Sequence, residues 1–359
     1  MFVAWRDLRF AKGRFALMGT VVTLITVLVG LLSGLTAGLG RENTSAITAL
    51  PADRLVFAAP AGDGKPSFTD SRLPERTVRE WARVPGVRDA DPLGIATTKA
   101  EGADGRSAAV SVFGVRPGSH LAPSAGPAAD GTVVLSEKAA DKLGARTGDR
   151  VALGGRKLAV TAVSGAAMYS HTPVVWTSLD DWHRLSGGAD SGGATVLALS
   201  TTGTDGLAAA DRRLGTRTVA AADALAAIGS YSAENGSLQL MRGFLFAISA
   251  LVIGAFFTVW TIQRSGDVAV LKALGASTRY LLRDALGQAV VLLVAGTALG
   301  TAVAAGVGAA VGGTVPFVLD PSTVLVPALV MIALGAVGAA LSIRRITSVD
   351  PLTALGSAR

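Results

Sequence analysis

Four long stretches without a charged side chain constrain this sequence more than any other feature. They cover 15–40, 243–262, 285–319 and 321–343. A helix of roughly 20 apolar residues crosses a bilayer core of about 30 Å, so each stretch is long enough to span it. Half of the 359 residues are hydrophobic and only 16% are charged, a balance too apolar for an ordinary soluble protein. The sequence therefore predicts a membrane protein with four transmembrane α-helices.

The remaining segments complete the predicted organisation. An interfacial amphipathic helix (1–14) precedes the first span (15–40), and an extracytoplasmic α+β domain (41–240) is inserted between helices 1 and 2. There follow the second span (243–262), a cytoplasmic coupling helix and loop (263–284), the third span (288–312), an outer loop (313–322), the fourth span (323–343) and a tail (344–359). The first apolar stretch is longer than a signal-peptide core of about 7 to 15 residues, and no A-x-A site follows it. We therefore expect an uncleaved first helix.

The positions of the charges predict the orientation. Basic and acidic residues nearly balance within 41–242, so the formal net charge of +7 comes from the other polar segments. Cytoplasmic loops of membrane proteins carry an excess of Lys and Arg, which places both termini and the 263–284 loop in the cytoplasm. The protein is expected in the cell membrane as a multi-pass protein in contact with lipid. No nucleic-acid partner is expected, because the excess charge is explained by the membrane.

The segment 41–240 alternates β-like and helical runs, as expected for a mixed α+β domain. RVALGGRKLAVTAV (150–163) predicts a hairpin that turns at Gly154-Gly155, and SEKAADKLG (136–144) predicts a helix with Ser136 as N-cap and Gly144 as C-cap. The chain contains no cysteine, so this domain must be stable without disulfides.

No pattern typical of an enzyme or a metal centre is found in the sequence. AGDGKPS (61–67) lacks the glycine spacing of a phosphate loop and has Pro66 where Ser or Thr must follow the lysine, and no serine lies in a G-x-S-x-G context. His120, His171 and His183 lack the spacing of a zinc site, so each is expected to be a surface or core residue. The four apolar stretches hold no ionisable residue of the kind used in ion-coupled pumps. The protein is expected to be no enzyme itself, and any transport needs an energy-supplying partner.

Two further patterns suggest contacts between helices and between proteins. Gly30, Gly34 and Gly38 recur at every fourth position, a spacing that lets another helix approach closely, either in a dimer or within the chain. The loop QRSGDVAVLKALGASTRYLLRDALGQ (263–288) contains a short helix with an apolar face. An apolar helix face in the cytoplasm indicates a docking surface for another protein.

The run DVAVLKALGAS (267–277) resembles the loop motif of FtsX/MacB-type ABC transporter permeases. That family usually has Glu where Asp267 stands. GTVVLSEKAADKLGARTGDRVALGGRKLAVTAV (131–163) is similar to the outer core domain of these permeases, and VDPLTAL (349–355) to their cytoplasmic end. The resemblance implies a homodimer whose loop helix docks on a separate cytoplasmic ATPase. The residues implied to contact that ATPase are Asp267, Leu271, Lys272, Leu274, Gly275 and Ala276.

The arrangement without a fused ATPase is most similar to the HrtB/DevC-like permeases, and this resemblance implies haem as a transported substrate. No covalently bound cofactor is implied, and ATP acts only through the partner. Candidate substrate-binding residues are Arg41, Tyr231, Glu234 and Met241, through iron ligation and propionate pairing. Tyr231 and Glu234 also fit an aromatic anchor and a capping carboxylate at the membrane interface. Alternative functions are export of a drug, peptide or lipid, and mechanical activation of an extracellular cell-wall hydrolase without transport.

Overall fold

A computed structural model describes residues 12–60, 62, 64–123, 129–187, 193–263, 266, 270–272, 274–312 and 314–347. The chain divides into two compact units. We call Met1–Gly38 with Ser237–Arg359 the helical unit, and Leu39–Gly236 the sheet domain. Most of the predicted interfacial helix at 1–14, and residues 348–359 of the predicted tail, lie outside the described residues.

The described helices are α1 (Lys12–Thr48), α2 (Glu75–Trp81), α3 (Glu137–Leu143), α4 (Leu179–Leu185), α5 (Leu207–Leu214), α6 (Gly229–Gln263), α7 (Thr278–Val311) and α8 (Pro321–Thr347). The strands are β1 (Arg54–Ala58), β2 (Val87–Glu101), β3 (Ser107–Val115), β4 (Thr132–Leu135), β5 (Arg150–Leu153), β6 (Arg156–Val163), β7 (Met168–Tyr169), β8 (Thr172–Ser178), β9 (Val196–Thr201) and β10 (Thr216–Ala220). A short 3₁₀ helix, Asp223–Ala227, precedes α6.

Among the described residues, four helices are long and apolar enough to cross a membrane: α1, α6, α7 and α8. Each corresponds to one of the predicted spans. However, α1 continues to Thr48 and α6 already begins at Gly229, so both extend well into the sequence predicted for the outer domain. The added turns are polar, which is why hydropathy alone ended the spans earlier.

The glycine stripe of α1 packs within this chain. A Cβ atom built on Gly30 would lie 2.9 Å from Ala304 Cβ of α7. At Gly34 it would overlap the ring of Phe317, and at Gly38 the carbonyl oxygen of Pro316. The amide of Val318 donates to the carbonyl oxygen of Gly34 over 3.1 Å. The three glycines therefore hold α1 against α7 and against the segment that joins α7 to α8.

The sheet domain is built on one sheet in the order β10-β1-β9-β2-β3-β8-β4-β6-β5, with β7 paired to β8. The pairs β3–β8 and β4–β6 are parallel, and the other pairings of the described strands are antiparallel. Because β5 also pairs with the end of β2, the strands from β2 to β5 along this order close into a ring. The fold class is thus α+β, as predicted.

Three of the sequence signals in this domain match the structure. Gly154 and Gly155 form the β5–β6 turn with φ values of 52° and 84°, and Gly144 ends α3 in the left-handed conformation. Ser136 occupies the N-cap position of α3, but its side chain makes no capping hydrogen bond. The predicted N-cap position is therefore confirmed, and the hydroxyl of Ser136 is buried.

An indole packed on paired glycines joins α4 to the sheet. Gly94 of β2 lies opposite Gly114 of β3, and a Cβ at either position would overlap Trp182. We expect Gly114→Ala to destabilise the protein by about 1–3 kcal/mol through overpacking, measured as a lower midpoint of thermal unfolding. Gly203→Ala is the matched control, because nothing lies within 4 Å of that position. Equal midpoints for the two variants would contradict this packing role.

Candidate functional site

The described part of the inner loop ends in a well-defined turn, which we call the inner turn (Val270–Ser277). The amide of Ala276 donates to the carbonyl of Leu271 over 2.9 Å, and that of Gly275 donates to Lys272 over 3.0 Å. Gly275 has a φ of 94°. This pair of bonds around a left-handed glycine is a Schellman motif, which ends a helix and satisfies its last carbonyls. Ser277 then caps α7 by accepting a hydrogen bond from the amide of Tyr280.

The inner turn exposes apolar side chains. Leu274 is 79% exposed and Val270 is 56% exposed, and their spacing of four residues puts them on the same side of the helix. Leu271, Lys272 and Ala276 are half-buried. The predicted contact residue Asp267 lies outside the described residues. Leu274 is therefore the predicted contact residue best placed to enter a pocket of a partner protein.

A second cluster of polar side chains lies within the sheet domain, where the end of α1 and the start of α6 meet the β7–β8 turn. We call it the outer junction, and it consists of Glu42, Asn43, Ser170, His171, Ser230 and Glu234. Nε2 of His171 lies 3.1 Å and 3.0 Å from the two carboxylate oxygens of Glu234. Nδ2 of Asn43 donates to Oε2 of Glu234 over 3.1 Å. Both carboxylate oxygens are thus engaged within the chain.

The hydrogen bonds of the outer junction form a directed chain. Ser230 Oγ donates to Asn43 Oδ1 over 2.5 Å, so Ser170 Oγ, 2.8 Å away, donates to Ser230. Asn43 Nδ2 also lies 2.9 Å from Nε2 of His171. Because an ionised carboxylate can only accept and both oxygens of Glu234 lie within 3.1 Å of Nε2, we assign the proton of His171 to Nε2, which donates it to Glu234. The donors therefore run from Ser170 through Ser230 and Asn43 to the carboxylate of Glu234. The same carboxylate also accepts the hydrogen bond of His171.

The backbone of the turn is bonded to α1 as well. The amides of Ser170 and His171 donate to the carbonyls of Asn43 and Glu42 over 3.0 Å and 3.2 Å. The hydroxyl oxygen of Ser45 in α1 accepts a hydrogen bond from the amide of Met168 over 2.9 Å. These bonds attach the β7–β8 hairpin along one side of α1.

The turn that presents these groups has an unusual backbone. Ser170 and His171 have φ values of 48° and 62°, the left-handed region in which the described residues otherwise place only glycine. A two-residue hairpin turn of this kind prefers Asn-Gly, because a side chain in the left-handed region costs of order 1–3 kcal/mol. Such strain persists where the surrounding bonds over-determine the conformation, as they do here.

Carboxylate and ammonium groups flank the histidine on its other side. Nδ1 of His171 lies 3.8 Å from Oε2 of Glu42. The other oxygen of Glu42 accepts a hydrogen bond from Nζ of Lys138 in α3 over 2.6 Å. The side chains of these ion pairs are partly exposed to solvent, so each pair by itself contributes only modestly to stability. The cluster matters for the positions in which it holds these side chains.

The predicted substrate residues are distributed over two helices. Arg41 is exposed on α1, and Tyr231 and Glu234 are half-buried on α6, three residues apart and so close on one side of the helix. Met241 is 47% exposed further along α6. Tyr231 packs against the sheet-domain core, whereas Glu234 is part of the outer junction.

A buried tyrosine lies in the same core. Tyr169 lies between Phe68 and Phe113, with ring centroids 5.8 Å and 5.6 Å away. Burial raises the pKa of Tyr169 well above its ordinary value, so the phenol stays neutral at physiological pH. Tyr169 is therefore a packing residue and not a source of phenolate.

The sequence did not point to Asn43, Ser170, His171 or Ser230. The stretch MYSHTPVV (168–175) lacks the Gly or Asn that marks a two-residue turn, so the sequence predicts no hairpin there. Asn43 and Ser230 are far apart in the chain, and no spacing rule connects them. The short β-like runs on both sides of Ser170-His171 are the sequence feature that could have indicated this hairpin.

Comparison with known families covers nearly the whole described chain. Residues 16–216 match the model of the MacB-like periplasmic core domain, and residues 240–351 match that of the FtsX-like permease C-terminal region. The first match covers most of α1 and strands β1 to β9, and the second covers most of α6 together with the inner turn, α7 and α8.

Full-length relatives agree with these matches. The chain is 28% identical over 362 residues to a Staphylococcus haemolyticus protein whose name assigns it to a hemin transport system as the permease HrtB, with 99% of each chain covered. A protein of the same name from Staphylococcus epidermidis is 27% identical over 366 residues, again with 99% of each covered. An uncharacterized ABC transporter permease of Mycobacterium tuberculosis is 27% identical over 372 residues at the same coverage. With four apolar helices and an extracytoplasmic α+β domain between the first two, this chain belongs to the FtsX/MacB-type family of ABC transporter permeases.

Proposed function

We propose that this chain is the membrane subunit of an exporter, driven by a separate cytoplasmic ATPase, whose substrate is haem. The observation that carries this proposal is similarity over 99% of the chain to permeases named for hemin transport. The protein then functions as a homodimer in the cell membrane, with both termini and the inner turn in the cytoplasm. The excess of basic residues outside 41–242 supports that orientation.

The inner turn is the proposed contact with the ATPase. Leu274 and Val270 present an apolar face that would be buried by a partner, and Gly275 ends the helix directly behind Leu274. Asp267, Leu271, Lys272 and Ala276 complete the proposed contact. A rigid helix end held by its Schellman bonds can transmit a push from the ATPase to α6 and α7, the two helices that it connects.

Haem would be recognised by groups near the outer ends of α1 and α6. The phenol of Tyr231 is a ligand type that ferric haem accepts, and the thioether of Met241 is another. A propionate of haem can pair with the guanidinium of Arg41. Glu234 is less suited to bind iron while His171 and Asn43 hold both of its oxygens. We therefore assign the iron contact to Tyr231 and expect Glu234 to act mainly in the outer junction.

Hemin titration of the purified protein tests the iron contact. We expect Tyr231→Phe, which removes only the phenolic oxygen, to change the visible absorbance spectrum of bound hemin and to weaken binding about tenfold. Tyr280→Phe is the matched control, since Tyr280 follows the inner turn at the opposite end of the membrane helices. An unchanged spectrum and affinity in Tyr231→Phe would remove this residue as a ligand.

The substrate itself is tested in cells. Bacteria that lack the protein and its ATPase are expected to stop growing at hemin concentrations that the complemented strain tolerates. Complementation with the permease but without the ATPase should fail, because the permease has no energy source of its own. Equal hemin tolerance with and without the complete transporter would overturn haem as the substrate.

A further inference from the structure

We propose that the outer junction is a permanent clasp that makes the end of α1, the β7–β8 turn and the start of α6 one rigid body, with His171 as its positioning residue. This inference rests on the proposed function, because the rigid body is what would carry a movement of the helices to the sheet domain.

The end of α1 is fixed to the turn on two sides. Backbone bonds join Ser170 and His171 to Asn43 and Glu42, and Ser45 bonds the start of the hairpin. On the next helical turn Ala46 and Ile47 are each 1% exposed within the aromatic core of the sheet domain. The last turns of α1 are therefore integrated into the sheet domain.

The start of α6 is fixed by side chains instead. Ser230 and Glu234 lie four residues apart, so both face the β7–β8 turn from one side of the helix. Ser230 is bonded to Ser170 and Asn43, and Glu234 to His171 and Asn43. Ile228, directly before the helix, is 1% exposed in the same core. Without the His171 side chain, the carboxylate of Glu234 would keep only its hydrogen bond from Asn43 within the outer junction.

The unfavourable backbone of the turn supports a functional reason for its two residues. Asn-Gly would form this turn with less strain, but glycine could not reach Glu234. The side chains of Ser170 and His171 both contact α6 while their amides both contact α1. The turn is thus a connector between two helices, and each helix continues into a membrane span.

The variant His171→Gly tests the clasp without adding strain, because glycine accepts a positive φ. In the complete transporter reconstituted in vesicles, we expect normal ATPase association and an unchanged unfolding temperature. The amount of hemin exported per ATP hydrolysed should fall at least about fivefold. His120→Ala is the matched control, an exposed histidine elsewhere in the sheet domain, and should export normally. Normal export by His171→Gly would overturn the clasp.

A reversible covalent clasp provides the rescue. The hydroxyl oxygens of Ser170 and Ser230 are 2.8 Å apart, and the chain has no cysteine of its own. Ser170→Cys with Ser230→Cys can therefore form one defined disulfide. Added to His171→Gly, the oxidised pair should restore export per ATP, and reduction should abolish it again. Loss of export on oxidation in the presence of His171 would show that the junction must open, and would overturn the proposal.

A measurement that needs no substrate separates this inference from the haem assignment. Spin labels at Ala233→Cys on α6 and Lys157→Cys on β6, both exposed positions, report the distance between the helix and the sheet. The distance between the two labels of one protomer is expected to be narrow and identical with and without ATP when His171 is present, and broad in His171→Gly. A distance that changes with ATP in the presence of His171 would contradict rigidity. If the intact transporter exports no hemin, the haem assignment fails while this measurement still decides the clasp.

Discussion

Leu274→Asp is expected to separate the permease from its ATPase subunit. Leu274 is 79% exposed at the end of the inner-turn helix, so an aspartate at this position fits within the permease itself. Placed in an apolar pocket of the partner, however, an unpaired carboxylate would cost about 2 kcal/mol or more, which is about a thirtyfold loss of affinity. Co-purification of the ATPase with a tagged permease measures the effect, and hemin export should be lost with it.

Two variants control for indirect effects of the aspartate. Leu274→Met keeps an apolar side chain of similar volume and should retain the ATPase. Leu319→Asp introduces the same charge at an exposed leucine beyond the other end of α7, and should also leave the complex intact. If Leu274→Asp co-purified with the ATPase as well as these two, the inner turn would not be the docking surface.

Gly38→Ala is expected to lower the stability of the protein strongly. A Cβ at this position overlaps the carbonyl oxygen of Pro316, a backbone atom that cannot rotate away as a side chain could. The segment 316–318 must then move, and the bond from Val318 to Gly34 is strained with it. We expect a loss of about 2–3 kcal/mol, or failure to accumulate in the membrane, measured as the temperature at which half of the detergent-solubilised protein aggregates.

Gly40→Ala is the matched control on the same helix. Nothing lies within 4 Å of a Cβ at Gly40, so this variant gains only the helix preference of alanine, about 0.5–1 kcal/mol. The two variants should therefore shift the aggregation temperature in opposite directions. A Gly38→Ala protein as stable as Gly40→Ala would show that α1 is not closely packed against the 316–318 segment.

The number of membrane helices and the class of the outer domain follow from local pattern. A membrane span is a run of contiguous apolar residues, so the sequence predicts all four spans. The helices α1 and α6 are longer than their predicted spans mainly because their polar ends continue past the membrane. The Gly154-Gly155 turn and the Gly144 helix end were predicted for the same reason, since each depends on a backbone preference of its own residues. Local pattern does not predict β2, because its 15 residues include the charged Arg88, Asp89 and Asp91 and also Pro92.

The sequence by itself determined that this chain spans a membrane four times, encloses an α+β domain between the first two spans, and has a short apolar helix with a glycine end between the second and third spans. Only the tertiary structure decided that the glycines of α1 pack against Ala304, Pro316 and Phe317, and that Asn43, His171 and Glu234 meet. The physical reason is that hydropathy and turn preference are properties of neighbouring residues. A hydrogen bond between residues far apart in the chain exists only after the sheet has placed both partners.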